Sequence, residues 1–372
     1  MVGHEILEVL YSPIKAFKKI IEKPDLGGAL LVLLLVIASA VAVQYIASSK
    51  QLLEIRAPES ENWTEELIGQ HAWISSGSVL LDVTDFQMGN NSISSSIMNA
   101  NNIWLKITDI ESIDCSEETG FTELFFWIKW ANEAGVTPTS GILKLHSGNE
   151  DSYFERDLSS LLTSSGDWNN ITLNVGPDQG WTSENSPDWQ NITGIEFELK
   201  WSYSGNLIMN IDGLFFRIFT SSVEQGTNYV EMISLIIQAG MTWVIWAGLL
   251  IIVAKLFNED LGKWNVFFII IGFVFIVTVV TNTITGILAS TLPELTYLLD
   301  ATSTYYYAQN AELWVSNFAF QLLTPLLWIG YVWTTALSAI VIRILKDTTW
   351  GKALTISVIA FAAKILLSAF GF

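Results

Sequence analysis

Residues 27–47 read Gly-Gly-Ala-Leu-Leu-Val-Leu-Leu-Leu-Val-Ile-Ala-Ser-Ala-Val-Ala-Val-Gln-Tyr-Ile-Ala, a run without a charged residue. As a helix of about 20 residues it would cross the ~30 Å hydrocarbon layer of a bilayer. A cleaved signal peptide would need a shorter apolar stretch nearer the N-terminus, whereas 26 residues with a pattern of their own precede this one. Four more apolar runs follow residue 231: Met232 to Leu256, Val266 to Leu288, Trp314 to Ile342 and Ala353 to Phe370. The membrane part is therefore expected to be an α-helical bundle of five transmembrane helices. Pro325 removes a backbone donor within the fourth and predicts a kink there. Trp243, Trp246, Trp264, Trp314, Trp350 and Tyr305 to Tyr307 lie mostly toward run ends, as expected for aromatic residues at headgroup depth.

The short loops give an orientation. Lys15, Lys18, Lys19 and Lys23 precede the first run, Lys255 and Lys263 flank the second turn, and Arg343, Lys346 and Lys352 flank the last, so these places are expected in the cytoplasm. The loop 289–313 has no Lys or Arg and carries Glu294, Asp300 and Glu312. The expectation is a multi-pass protein of the cell membrane, its N-terminus cytoplasmic and both residues 48–231 and the C-terminus extracytoplasmic. The boundaries are 1–26 for a cytoplasmic arm, 27–47 for the first helix, 48–231 for an inserted domain with stalks at 48–70 and 220–231, and 232–372 for the other four helices. In the arm, Leu10, Ile14, Phe17 and Ile21 recur at helical spacing beside Lys15, Lys18 and Lys19. This predicts an amphipathic helix lying on the bilayer; the other reading is a helix packed on the cytoplasmic ends of the bundle.

Composition agrees with this division. The 372 residues are 51% hydrophobic and 15% charged, with a formal charge of −19. That balance excludes a nucleic-acid partner, which needs a basic footprint. Residues 48–231 hold 27 acids and 8 bases, so 8 − 27 = −19, and the remainder holds 10 of each. The whole net charge belongs to the insertion. Cys115 is the single cysteine, and His4, His71 and His146 are widely spaced, so neither a disulfide framework nor a zinc site is expected.

Within the insertion the pattern changes to alternation. Ile195, Phe197, Leu199 and Trp201 alternate with Glu196, Glu198 and Lys200; Ile103, Leu105 and Ile107 with Trp104 and Lys106; Ile171, Leu173 and Val175 with Asn170, Thr172 and Asn174. Period 2 marks half-buried strands. Leu124 to Trp130, Gly141 to His146 and Ile208 to Phe219 also read as strands, with turns at Ser164 to Asp167 and Ser204 to Asn206. The expected fold is an all-β extracytoplasmic jelly-roll sandwich. Four sequons occur, at Asn62, Asn90, Asn170 and Asn191, close to the number chance would give; they are candidate glycosylation sites.

Two resemblances follow from these residues. Leu10-Tyr11-Ser12-Pro13, Ala16-Phe17, Ile20 and Lys23-Pro24-Asp25, with Trp333 and Gly351-Lys352-Ala353-Leu354 near the end, resemble the Yip (Ypt/Rab-interacting protein) family of five-span membrane domains, prokaryotic type. The Asp-Leu-Tyr-Gly-Pro-type motif and the long cytoplasmic region of eukaryotic members are missing, which argues against a GTPase partner. Trp168 to Leu173, Trp189 with Ile192 to Phe197, and Asn210 to Phe215 are similar to galactose-binding-like, carbohydrate-binding-module jelly rolls. That resemblance implies glycan binding.

The candidate ligand-binding residues are Trp181 and Trp189, which flank a loop rich in Gly, Pro, Ser, Asn and Asp, and Asp212 in Ile211-Asp212-Gly213. Burial in a sandwich core is the competing fate of both tryptophans. Glu150, Asp151, Asp157, Asp167, Asp178 and Asp188 could supply oxygens to Ca²⁺ but have no ligand spacing, so calcium is left open as a cofactor and no other is expected. Lys364 is the one charge well inside an apolar run; it could serve a function or snorkel outward, and no acid in the runs could pair with it in an ion pathway. No nucleophile elbow, zinc-protease motif or phosphate loop is present, so an enzyme is not expected.

The expected function is display of the acidic domain for binding glycans or surface proteins or for organising the envelope. The alternative is a Yip-like membrane-shaping or trafficking scaffold with the sandwich as spacer, and a lesser one a transporter subunit; a homo-oligomer is compatible with all three. Protease added to intact cells should digest the 48–231 region and leave the arm intact, and digestion of the arm alone would reverse the orientation.

Overall fold

The computed structural model describes residues 2–59, 63–69, 71–116, 120–221, 223–224, 229–299 and 312–369. The chain divides into two units, Glu54–Phe219 and Met1–Leu53 with Thr220–Phe372.

In the helical unit, α1 (Val2–Tyr11) and α2 (Pro13–Glu22) precede α3 (Leu26–Ser49). Asp25 caps α3 by accepting a hydrogen bond from Gly27 N at 3.0 Å. Next come α4 (Tyr229–Leu256), α5 (Trp264–Val274), α6 (Ile276–Ser290), α7 (Phe318–Lys346) and α8 (Trp350–Ala369). Five helical stretches are long and apolar enough to cross a membrane: Leu26–Ser49, Ile233–Leu256, Trp264–Ser290, Phe318–Lys346 and Trp350–Leu367. The third is interrupted at Phe275, which ends α5 and opens α6. At Gly272, an added Cβ would stand 2.8 Å from Ala29 Cβ and from the Trp243 ring. The absent side chain is what lets α3 and α4 close on α5.

Three expectations are corrected here. Phe17 is wholly buried with Ala16 and Ile20, packed against α5 and α7 as in the second reading of the arm, while Lys15, Lys18 and Lys19, with Ile14, are exposed. The helix breaks at Ser12-Pro13, so Leu10 and Ile14 do not continue one stripe; α1 buries Ile6 and Val9 instead. Trp243 and Trp246 are interior as well, because each finds a polar partner there: Trp243 Nε1 donates to Phe268 O at 2.9 Å and Trp246 Nε1 to Ser338 Oγ at 3.1 Å. Trp264 and Trp350 are exposed, and Tyr305 to Tyr307 lie outside the described residues. Finally, a short strand, Leu295–Tyr297, runs parallel to Gln51–Leu53, a pairing the sequence did not suggest.

The second unit is the expected sandwich. Its strands are β1 (Gln51–Ala57, beginning in the helical unit), β2 (Ala72–Ser75), β3 (Ser78–Asp82), β4 (Ser92–Ile113), β5 (Glu123–Asn132), β6 (Ser140–Ser147), β7 (Asn149–Asp157), β8 (Trp168–Asn174), β9 (Thr182–Glu184) and β10 (Ile192–Ser221). β4 and β10 pair antiparallel from Ile113↔Ile192 to Ile93↔Ile211. Their halves serve different layers. Ile192–Lys200 lies between β4 and β6, giving a first layer ordered β2–β4–β10–β6–β7–β9. Leu207–Ile211 lies between β4 and β5, and the pairing with β5 continues to Arg217, giving a second layer ordered β3–β4–β10–β5–β8. The turn expected at Ser204 to Asn206 is a register shift between Lys200 and Leu207 inside one strand, where β10 passes from layer to layer.

The apolar positions read from the alternation fill the space between the layers: Ile103, Leu105, Ile107, Ile195, Phe197 and Leu199 meet Leu124, Phe126, Ile128 and Met209, all buried. Phe126 and Phe197 touch across the layers edge to face, with centroids 5.0 Å apart. The region 63–69 is no stalk, since Trp63 and Thr64 are buried and Trp63 N donates to Leu214 O. Phe126→Ala should destabilise the sandwich by about 3–5 kcal/mol. The exposed neighbour change Ile208→Ala should cost under about 0.5 kcal/mol. Chemical denaturation followed by tryptophan fluorescence measures both.

Candidate ligand-binding face

The alternation that buries Ile103, Leu105 and Ile107 turns Trp104, Lys106 and Thr108 to the opposite side of the first layer. Register then sets one residue of each strand beside the next. Ile74, Lys106, Glu196, Lys144, Glu155 and Thr182 form one row across the outer face. On either side run Thr108, Gly194, His146, Tyr153 and Glu184, and Trp104, Glu198, Ile142 and Asp157.

The polar groups at the centre are ordered by one another. Lys106 Nζ lies 2.9 Å from Glu150 Oε1, Lys144 Nζ 3.5 Å from Glu196 Oε1, and Lys200 Nζ 2.9 Å from Glu198 Oε1. His146 Nε2 is 3.0 Å from Glu196 Oε2, and its Nδ1 is 3.1 Å from Glu150 O. The Lys144 ammonium stands 5.1 Å above the Tyr153 ring. Burial alone would raise the Glu196 carboxyl. The hydrogen bond from His146 and the charges of Lys144 and Lys106 outweigh it and hold Glu196 below the usual carboxylate range. Glu150 is lowered too, chiefly by its hydrogen bond with Lys106.

Trp104 and Tyr153, both half-buried, lie toward opposite corners of this array. They are three strand spacings apart across the sheet, about 14 Å, and four residues apart along it, about 13 Å.

The residues singled out from sequence sit elsewhere. Trp181 and Trp189 do meet, with centroids 5.9 Å apart, but as part of the packing: Trp189 stacks on Phe154 at 3.7 Å, and Trp181 Nε1 donates to Asn174 O at 2.8 Å. With Trp189 covered by another ring, the pair is not a free platform. Asp212 is wholly buried, where Thr64 Oγ1 (3.0 Å), Met88 N (2.8 Å), Gly213 N (2.7 Å) and Gln87 N donate to its carboxylate. Burial pushes its carboxyl up against those donors. It pins the 85–88 loop to β10 and offers no oxygen to a ligand. Burial likewise raises the Cys115 thiol, which is no nucleophile.

Asn90 and Asn170 are exposed, Asn191 is half-buried and accepts a hydrogen bond from Ser112 Oγ at 2.8 Å, and Asn62 lies outside the described residues. Lys364 does not reach outward: its ammonium lies 5.4 Å from the Tyr331 ring and 5.9 Å from the Trp246 ring. Among the described residues, no group of three or more His, Cys, Asp or Glu is placed to hold a metal ion.

No known family profile matches the chain, and no curated protein does. Solved structures with a similar arrangement include a carbohydrate-binding module of the β-sandwich superfamily described as promiscuous in specificity (12% identity, TM-score 0.31, 42% of this chain and 60% of that one). Another is the family 11 module of Clostridium thermocellum with a β-1,3-1,4-mixed-linked tetrasaccharide (13%, 0.29, 44% and 94%). A third is the family 30 module of a cellulosomal cellulase of the same organism (14%, 0.31, 46% and 99%). The chain thus spans 60% of the first of these. At such scores these likenesses carry no argument about this chain.

A carboxylate lowered in the folded state stabilises the protein above its unfolded value of about 4.3 and loses that contribution as pH falls through the folded value. Glu196→Gln should therefore lower the unfolding temperature of the sandwich at pH 7, and the gap to wild type should close on acidification below about pH 4. Thermal melts by tryptophan fluorescence across pH measure this.

Proposed function

We propose that the chain is a multi-pass membrane protein, without catalysis of its own, that presents its acidic sandwich outside the cell membrane and binds glycan on the outer face of the first layer. The observation behind the binding is that Trp104 and Tyr153 share the outer face of the first layer with Lys106, Lys144, His146, Glu196 and Glu198. A sugar ring presents C–H faces suited to aromatic side chains, and hydroxyls that both donate and accept. Charged donors and acceptors already held in place make strong hydrogen bonds to such groups at little ordering cost.

The membrane reading has its own support. Beyond length, the helices expose large apolar side chains in number: Leu34 at 62%, Ile237 at 59%, Ile329 at 59% and Leu366 at 63%. Water would tolerate such a surface poorly. We read the bundle as Yip-like in organisation, with Ser12-Pro13 opening α2 and Gly351-Lys352 in the first turn of α8.

Full-length protein in detergent, applied to a glycan array, should retain a neutral oligosaccharide. Trp104→Ala and Tyr153→Ala should each weaken that binding about tenfold while leaving the melting temperature of the sandwich in place. Wild-type protein that retains nothing, or variants that bind as well as wild type, would refute the reading.

A further inference from the structure

The two layers of the sandwich end in β2 and β9 and in β3 and β8, each with one neighbour, and an edge of that kind offers backbone groups to the sheet of another molecule. Shortness and charge are the usual guards. β2 and β9 are four and three residues long, and β3, of five, ends in Asp82. β8 has neither guard. It runs for seven residues, Trp-Asn-Asn-Ile-Thr-Leu-Asn, without a charge or a proline, pairs with β5 in unbroken register, and among the described residues has no strand on its other side.

What β8 does carry is the sequon Asn170-Ile171-Thr172. Alternation turns Ile171 and Leu173 into the core and Asn170 and Thr172 outward, where both are exposed. The other described sequons differ. Ser92, the hydroxyl residue of the Asn90 sequon, is wholly buried and donates to Asp85 O at 2.7 Å. Asn191 is half-buried, with its amide oxygen engaged by Ser112 Oγ and its Nδ2 close against Gly148. Of the three, only the Asn170 sequon presents both its asparagine and its hydroxyl residue on the surface.

We propose that Asn170 carries an N-linked oligosaccharide and that this glycan is the guard of the β8 edge. A bond forms between Asn170 Nδ2 and the anomeric carbon of a lipid-linked oligosaccharide donor. The bond from that carbon to the donor's phosphate oxygen breaks, the lipid phosphate leaves, and the amide proton passes to base. A bulky, hydrated chain on the outward face of an edge strand fills the room through which a second sheet would approach. The inference rests on the extracytoplasmic placement proposed above, the side on which sequons are modified.

The test uses full-length protein purified in detergent from membranes of its own organism. After trypsin, the peptide from Asp157 to Lys200 holds both Asn170 and Asn191, and fragmentation in the mass spectrometer assigns any sugar to one or the other. Sugar is expected on Asn170 and not on Asn191. Asn170→Gln, which deletes the sequon, should raise the share of higher-order species on size-exclusion chromatography several-fold. Asn170→Lys, equally without sugar, should hold that share at the wild-type level, because a charge then guards the edge. Position 170 is exposed, and an unchanged thermal melt verifies that both variants fold. A bare Asn170, or a glycan on Asn191 in its place, overturns the site, and a modified Asn170 whose Gln variant stays as dispersed as wild type overturns the guard. Protease added to intact cells separates the two failures. If it digests the 48–231 region while Asn170 is bare, the site alone falls; if it spares that region, the extracytoplasmic placement falls and the site with it.

Discussion

Everything in the sandwich depends on β4 and β10 remaining paired while both pass from one layer to the other. Neither layer is complete without them, since β6 and β5 hydrogen-bond to successive parts of the same strand, Ile192–Lys200 and Leu207–Arg217. The passage occurs where pairing is irregular, between Lys200 and Leu207. Bulges of this kind sharpen the local twist and allow a strand to bend without losing its neighbour. A second irregularity lies between Asp212 and Phe215, where Gly213 adopts φ +59° and an added Cβ would stand 2.6 Å from Met88 Sδ. Asp212 exploits that irregularity: its carboxylate gathers donors from Thr64, Gln87, Met88 and Gly213, tying otherwise irregular chain to the strand. The buried charge is tolerable because its oxygens are surrounded by donors.

How far the sequence was legible follows from which interactions were local. The segment Ile195 to Trp201 announces a strand because inward and outward residues differ in kind at every step, and Leu124 to Trp130 is apolar enough to be one. Residues 92–97 read Ser-Ile-Ser-Ser-Ser-Ile, and their serines find partners such as Asn210 Oδ1, which Ser94 Oγ meets at 2.9 Å. No local pattern could reveal that. β7 is a strand of mostly charged residues whose apolar contribution is Phe154, so its identity comes from pairing with β6. The candidate face was hidden for the same reason. Trp104 and Lys106 were recognisable as the outward members of an alternating run, yet only register brings Lys106, Glu196 and Lys144 side by side from three distant parts of the chain. Trp181 and Trp189 drew attention by their loop, and the fold stacks Trp189 on Phe154 and sets Trp181 edge-on to Trp189.

The helical unit shows the same economy with polar groups. Three of its side-chain donors meet acceptors on neighbouring helices: Trp243 to Phe268 O, Trp246 to Ser338, Asn282 Nδ2 to Ser39 Oγ at 3.0 Å. Away from water an unmatched donor is costly, so such pairs help fix which helices neighbour one another. The same requirement accounts for tryptophans turning inward where position along the run alone suggested the headgroups.

The charge of the chain acquires a finer address from these contacts. Between Glu54 and Phe219 there are 25 acids and 7 bases, so 7 − 25 = −18. The centre of the first layer's outer face departs from that average, for its ion pairs set Lys106, Lys144 and Lys200 against Glu150, Glu196 and Glu198, three of each sign. The surplus acids therefore lie outside these three pairs. A polyanion approaching the domain meets its net negative charge, and these lysines are already engaged in ion pairs, while a neutral molecule pays no such penalty.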